Sequence, residues 1–141
     1  MSFRRQLTIM IVEDNRADVY LLQKALHKAE IDFQAIILED GESALTYLNG
    51  DLGREANPTP DLAILDLNVP KRDGSEVLAH IRRTPRLQQI PVIILSSSPK
   101  RVMLEQAAQA DLYIVKPNEL EEFLGIGDQI RACLDSIRTI A

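Results

Sequence analysis

Short apolar runs alternate with amphipathic segments along the chain. Leu7–Val12 is almost wholly apolar, rich in β-branched residues and Leu, and ends abruptly in Glu13-Asp14-Asn15. That is how a strand buried on both faces reads. Arg16–Ala29 carries Val19, Leu22, Leu26 and Ala29 on one helical stripe. Phe33–Leu38 reads as a second strand closed by Glu39-Asp40-Gly41, and Glu42–Leu48 as a short helix stopped by Asn49-Gly50. Asp51–Pro60 contains Gly, Asn and two prolines, which predicts a loop. Leu62–Leu65 is a third strand candidate, ending in Asp66. Gly74–Arg83 is a helix with Val77, Leu78 and Ile81 inward, limited by Pro85. Pro91–Leu95 predicts a fourth strand, closed by Ser96-Ser97-Ser98. Lys100–Ala110 has the Ala, Gln, Leu and Glu of a helix. Leu112–Val115 predicts a fifth strand, ending at Lys116-Pro117. Glu119–Ile137 is a last helix that Gly125 and Gly127 can interrupt.

Strict alternation of strands and helices predicts crossover connections. The expected fold is α/β: a doubly wound five-stranded parallel sheet with helices on both faces. The carboxyl ends of parallel strands share one edge, and ligand sites form in the crevice there. Glu13 and Asp14 follow the first strand, Asp66 the third, Ser96 the fourth and Lys116 the fifth. Each alone has an ordinary explanation: Asp14 and Asp66 as turn or cap residues, Ser96 as a cap in its Ser-Ser-Ser-Pro run, Lys116 as a solvated charge. Together they should converge. Unpaired carboxylates about 5 Å apart repel by roughly 3 kcal/mol at an effective dielectric near 20, so the cluster needs a cation. Carboxylates, a backbone carbonyl and waters make an oxygen-only set, which suits Mg²⁺. His27 and His80 lie within helices, away from these ends, so zinc is not expected. An Asp beside such a metal, with a Lys and a hydroxyl opposite, can accept a phosphoryl group as an acyl phosphate.

Composition narrows the class. The 141 residues are 45% apolar and 26% charged, the balance of one ordinary globular domain. The net charge of −5 argues against non-specific nucleic-acid binding. Cys133 is the one cysteine, expected to be a buried helical residue in a reducing compartment. No apolar run approaches membrane-spanning length, and the amino-terminal segment reads as a strand instead of a signal peptide. A cytoplasmic location is the resulting expectation.

Four segments carry a family likeness: Ile11–Asn15 (IVEDN), Leu65–Gly74 (LDLNVPKRDG), Pro91–Ser96 (PVIILS) and Tyr113–Pro117 (YIVKP). In this order the chain resembles a response-regulator receiver domain of two-component signalling, with its flavodoxin-like (βα)5 fold. The resemblance implies that Glu13 and Asp14 are the acidic pair holding Mg²⁺ and that Asp66 is the phosphoacceptor. It also implies that Asn68 lends its backbone carbonyl to the metal. Ser96 matches the switch hydroxyl, Lys116 the phosphate-pairing lysine and Tyr113 the aromatic switch position. In this family the bond matching Lys116–Pro117 is commonly cis. Two departures stand out. The segment from Ser96 to Lys116 is shorter than the family's usual spacing and lacks the usual Gly before the fifth strand. That implies a shortened helix at Lys100–Ala110 and leaves the coupling of Ser96 to Tyr113 open. The Asp51–Pro60 loop is long, as in stand-alone regulators that partner bacteriophytochrome-type histidine kinases, especially in cyanobacteria.

The expected function is therefore that of a phosphoacceptor: a histidine kinase donates a phosphoryl group to Asp66, and the change alters contacts with another protein. The expected organisation is a single receiver domain over residues 1–141 with no output domain, not an enzyme beyond its own phosphorylation and dephosphorylation. Homodimerisation through the Lys100–Ala110 helix, the fifth strand and the last helix is compatible with this, although Leu112, Ile114, Phe123, Ile126, Ile130 and Ile137 are also explained as core. No nucleic acid or membrane partner is expected. Three alternatives remain. A degenerate receiver could act as a scaffold without phosphorylation. A haloacid-dehalogenase-like phosphohydrolase would need a second Asp where Asn68 stands, because Asn cannot donate a catalytic proton. An FMN binder would need a phosphate-binding loop after the first strand, where Glu13-Asp14-Asn15-Arg16 would repel phosphate.

Overall fold

The computed structural model describes residues 6–97 and 109–140. In chain order the elements are β1 (Leu7–Val12), α1 (Arg16–Lys28), β2 (Phe33–Leu38), α2 (Gly41–Asn49), β3 (Leu62–Leu65), α3 (Gly74–Arg83), β4 (Val92–Ser96), β5 (Leu112–Val115), α4 (Leu120–Leu124) and α5 (Ile126–Ile140). The strands pair in parallel in the order β2-β1-β3-β4-β5. This is the doubly wound sheet that the alternation predicts.

Side chains of successive strand residues point to opposite faces, and β1 divides accordingly. Ile9 and Ile11 join α1, α4 and α5 in one core, through Leu22, Leu26, Phe123, Ile126 and Ile130. Met10 and Val12 join α2 and α3 in the other, through Leu48, Val77, Leu78 and Ile81. The central strands β1 and β3 are buried along their whole length, whereas the edge strands β2 and β5 are only partly covered.

Several expectations shift. The last helix is two helices, because the chain bends at Gly125, whose N–H bonds back to Glu121 and Glu122 carbonyls. Gly127 does not interrupt α5; it lets the helix lie against the Ala25 carbonyl of α1, where a Cβ would collide. Ser96 is the last residue of β4 instead of the first beyond it. Leu112, Ile137 and Cys133 are half-buried, not core, since α5 and the edge strand turn one face outward. The helix expected over Lys100–Ala110 lies outside the described residues except for its last two positions. His27 stacks on Phe33 and His80 sits within α3, so neither nears the carboxyl edge.

The order reverses at β1, with β2 on one side and β3 on the other. Crevices for ligands open at such a switch point, outside the carboxyl ends of the strands. The register builds it: Val12 pairs with both Leu38 and Leu65, and Ser96 pairs with Val115. One step further along, Glu13, Asp66 and Lys116 emerge at the same edge.

Candidate functional site

Backbone hydrogen bonds continue the sheet just far enough to hold the site. Glu13 N–H donates to the Leu38 carbonyl at 3.0 Å, Asp66 N–H to Val12 at 3.0 Å, and Lys116 N–H to Ser96 at 2.8 Å. The side chains that follow are therefore rooted in rigid strands.

The Lys116 ammonium lies 2.6 Å from Glu13 Oε1, 2.8 Å from Asp18 Oδ2 and 2.8 Å from Asp66 Oδ2. The other oxygen of Asp66 accepts the Asn68 N–H at 2.9 Å. The side chains of Glu13, Asp66 and Lys116 are nearly sealed from water, at 5%, 8% and 10% exposure. Burial alone would push the ammonium pKa down, but hydrogen bonds to Asp18, Asp66 and Glu13 outweigh it and push it above its ordinary value. Glu13 moves the other way from a usual carboxylate. Burial raises its pKa, the Asp66 charge raises it further, and Lys116 and the Asn15 N–H offset only part, so it reaches about 7.

Glu13, Asp14 and Asp66 each offer an oxygen within 4.8 Å of the others, with Asp14 exposed and the other two buried. An oxygen-only donor set with one open, solvent-facing side fits a hard divalent cation. The Asn68 side chain is also engaged: its amide donates to Ser96 Oγ at 3.3 Å. Ser96 is fully buried. Tyr113 is half-buried beside the α2–α3 side of the core. Burial pushes its phenol pKa up, the Asp66 charge adds to that, and a hydrogen bond with the Ser96 side chain opposes both. Ser96 and Tyr113 thus interact through their side chains.

The loop from Asp66 to α3 wraps the site tightly. Gly74 rests on the Asp66 carbonyl, where a Cβ would clash, and its N–H donates to Leu67 at 3.2 Å. Asp73 caps α3 by accepting from Ser75 N–H and Glu76 N–H at 3.0 and 3.2 Å. Asp73-Gly74 thus serves as the turn and cap that residue chemistry predicts.

One expectation fails and one residue was missed. No peptide bond among the described residues is cis, so Lys116–Pro117 is trans. Trans is the lower-energy form even before proline, and the lysine is held by its own N–H to Ser96 and by three carboxylates. Asp18 was missed. It reads locally as an acid in the first turn of α1, a common place for one. What could have flagged it is its position: the first turn of a helix that starts at the carboxyl edge, four residues after Asp14. A groove of about 810 Å³ between α2 and α3, lined by Thr46, Arg72, Glu76 and His80 among others, is separate from this cluster.

The geometry agrees with comparisons to known proteins. The family model for the response regulator receiver domain matches residues 9–126. Response regulator Rcp1 of Synechocystis sp. is 40% identical over 116 residues, spanning 81% of this chain and 79% of that protein. The crystal structure of a phosphorylated cyanobacterial phytochrome response regulator, RcpA, superimposes with a TM-score of 0.79 at 38% identity, covering 90% of this chain and 92% of that one. The Mn²⁺-bound form of Rcp1 gives a TM-score of 0.79 at 36% identity, covering 89% and 92%. With four motifs in register, a buried lysine–carboxylate cluster and a family match along most of its length, the chain belongs to the response-regulator receiver domains of two-component signalling.

Proposed function

We propose that Asp66 accepts a phosphoryl group from a phosphohistidine of a sensor histidine kinase, in a Mg²⁺-dependent transfer, and that the product changes how this chain binds other proteins. The observation that carries the reading is the Lys116 ammonium 2.8 Å from Asp66, within a group of three carboxylates able to hold a cation. In the transfer, an Asp66 carboxylate oxygen forms a bond to phosphorus as the donor's P–N bond breaks, and the imidazole leaves with the electron pair. Glu13, Asp14 and Asp66, with the Asn68 carbonyl, would hold Mg²⁺, which when bound neutralises charge on the transferring group. Lys116 orients Asp66 and stays within reach to donate to a phosphoryl oxygen. Ser96, already linked to Asn68 and Tyr113, is placed to donate to another and to carry the change toward β5.

The likeness to Rcp1 and RcpA supports a phytochrome-type kinase as the donor. A second copy docking along β5 and α5 belongs to the same reading; Val115 and Leu120 are 47% and 56% exposed near that edge. A cytoplasmic location follows from a kinase donor of this kind.

Acetyl phosphate tests the centre of the proposal without knowledge of the kinase. Wild-type protein should take up one labelled phosphoryl group only when Mg²⁺ is present, and Asp66→Asn should take up none. Equal labelling of the variant would place the phosphoacceptor elsewhere.

A further inference from the structure

The hydrogen bonds around Lys116 close a ring. Asn15 N–H donates to Glu13 Oε2 at 3.2 Å, and Asp18 N–H donates to Asn15 Oδ1 at 3.1 Å. Lys116 then donates to Asp18 Oδ2 at 2.8 Å and pairs with Glu13 Oε1 at 2.6 Å. The turn after β1 and the N-cap of α1 thus aim Asp18 at an ammonium 98 residues away. Its side chain is 21% exposed, so the contact is largely shielded from water.

An ammonium has three N–H donors and no acceptor. Here three carboxylates face it: Glu13, Asp18 and Asp66. Two of them, Glu13 and Asp66, also belong to the oxygen set able to hold a cation, and Asp66 is the proposed phosphoacceptor. Either role draws charge away from the lysine. Asp18 stands outside that set, on a helix whose first turn is capped by Asn15. It is the one acceptor whose hold on Lys116 does not compete with the chemistry.

We propose that Asp18 is a positioning residue acting through Lys116: it keeps the ammonium seated beside Asp66 while Glu13 and Asp66 are engaged by a cation or a phosphoryl group. This rests on the phosphoacceptor reading. A residue that merely supports the start of α1 would act whether or not Lys116 is present, and the two roles separate on that point.

The test uses wild type, Asp18→Asn, Lys116→Ala and the double variant, with two readouts. The first is the rate of Mg²⁺-dependent labelling by acetyl phosphate. The second is the rate of reductive methylation of Lys116 in the unphosphorylated protein, followed by mass spectrometry. Replacing a charge-assisted hydrogen bond with one to a neutral amide oxygen should slow labelling and speed methylation of Lys116 about tenfold in Asp18→Asn. In the Lys116→Ala background the same substitution should change labelling by less than about twofold. The proposal is overturned if Asp18→Asn methylates at the wild-type rate, or if its labelling defect persists in full without Lys116. If wild type takes no label at all, the phosphoacceptor reading fails, and methylation alone then decides whether Asp18 seats the lysine.

Discussion

Glu13 governs how the cation-free site responds to pH. Its carboxyl is pushed from 4.5 to about 7 because burial and the Asp66 charge disfavour ionisation more than Lys116 and Asn15 favour it. Between those two values the folded chain holds a proton that the unfolded chain has released. The stability from this group is therefore full below pH 4.5 and is lost as pH rises to about 7. The slope is at most about 1.4 kcal/mol per pH unit. Lys116, raised from 10.5, adds stability that is fully present below that value and lost only as pH rises through its folded value, so it does not tilt this window. Urea denaturation of chelator-treated protein at pH 5 and pH 7.5 should show the fall. Glu13→Gln, which cannot ionise and keeps one oxygen acceptor in place of the two that serve Lys116 and the Asn15 N–H, should flatten it. An unchanged slope would move the titration to another group. Asp18 shows why part of this chemistry was hidden: nothing local in a first-turn acid announces a partner on β5's far end, and only the parallel register brings the two together.

The connection from β3 to α3 is the most constrained element around the site. Lys71 and Arg72 have φ of 49° and 72°, a left-handed conformation that non-glycine residues rarely adopt. The Pro70 and Lys71 carbonyls accept from Gly41 N–H and Glu42 N–H at 3.1 and 2.7 Å, tying this loop to the start of α2. Gly41 itself has no room for a Cβ against the Arg72 carbonyl, and Gly74 none against Asp66. Gly74→Ala must therefore shift the backbone of Asp66, the proposed phosphoacceptor. It should destabilise the fold by about 3 kcal/mol and reduce acetyl phosphate labelling; wild-type stability in chemical denaturation would contradict the close approach. The helices α1, α2 and α3 were legible from sequence in their periodicity and stop signals; in the structure Asn15, Asp40 and Asp73 cap them. The choice between Gly125 and Gly127 as the break was not, because it depends on which glycine faces α1.

At the scale of the molecule, the two sheet edges treat charge differently. On the amino-terminal edge Arg82 donates to the carbonyls of Gln88, Ile90 and Gln109 and pairs with Asp111 at 2.9 Å, while Asp111 also accepts the Val92 N–H. Charge there is matched and serves to tie α3 to β4 and β5. On the carboxyl edge Glu13, Asp18 and Asp66 all face the Lys116 ammonium, and Asp14 adds a further carboxylate beside Glu13 and Asp66. That excess of acid is a site held at the expense of stability, as functional sites often are. A ligand that binds only the folded chain returns stability by mass action, about 2.7 kcal/mol at a hundred times its dissociation constant. Saturating Mg²⁺ should therefore raise the melting temperature of chelator-treated protein by about 5–10 °C for a domain of this size. Asp14→Asn separates cation binding from the stability of the metal-free fold. It removes one exposed carboxylate from the set without touching Lys116, so the metal-free variant should melt no lower than wild type, and the Mg²⁺-induced rise should be largely lost. Calorimetry with and without the cation reads both. A variant that melts lower without metal would show that Asp14 supports the fold itself. One that retains the full rise would show that the cation is held without Asp14.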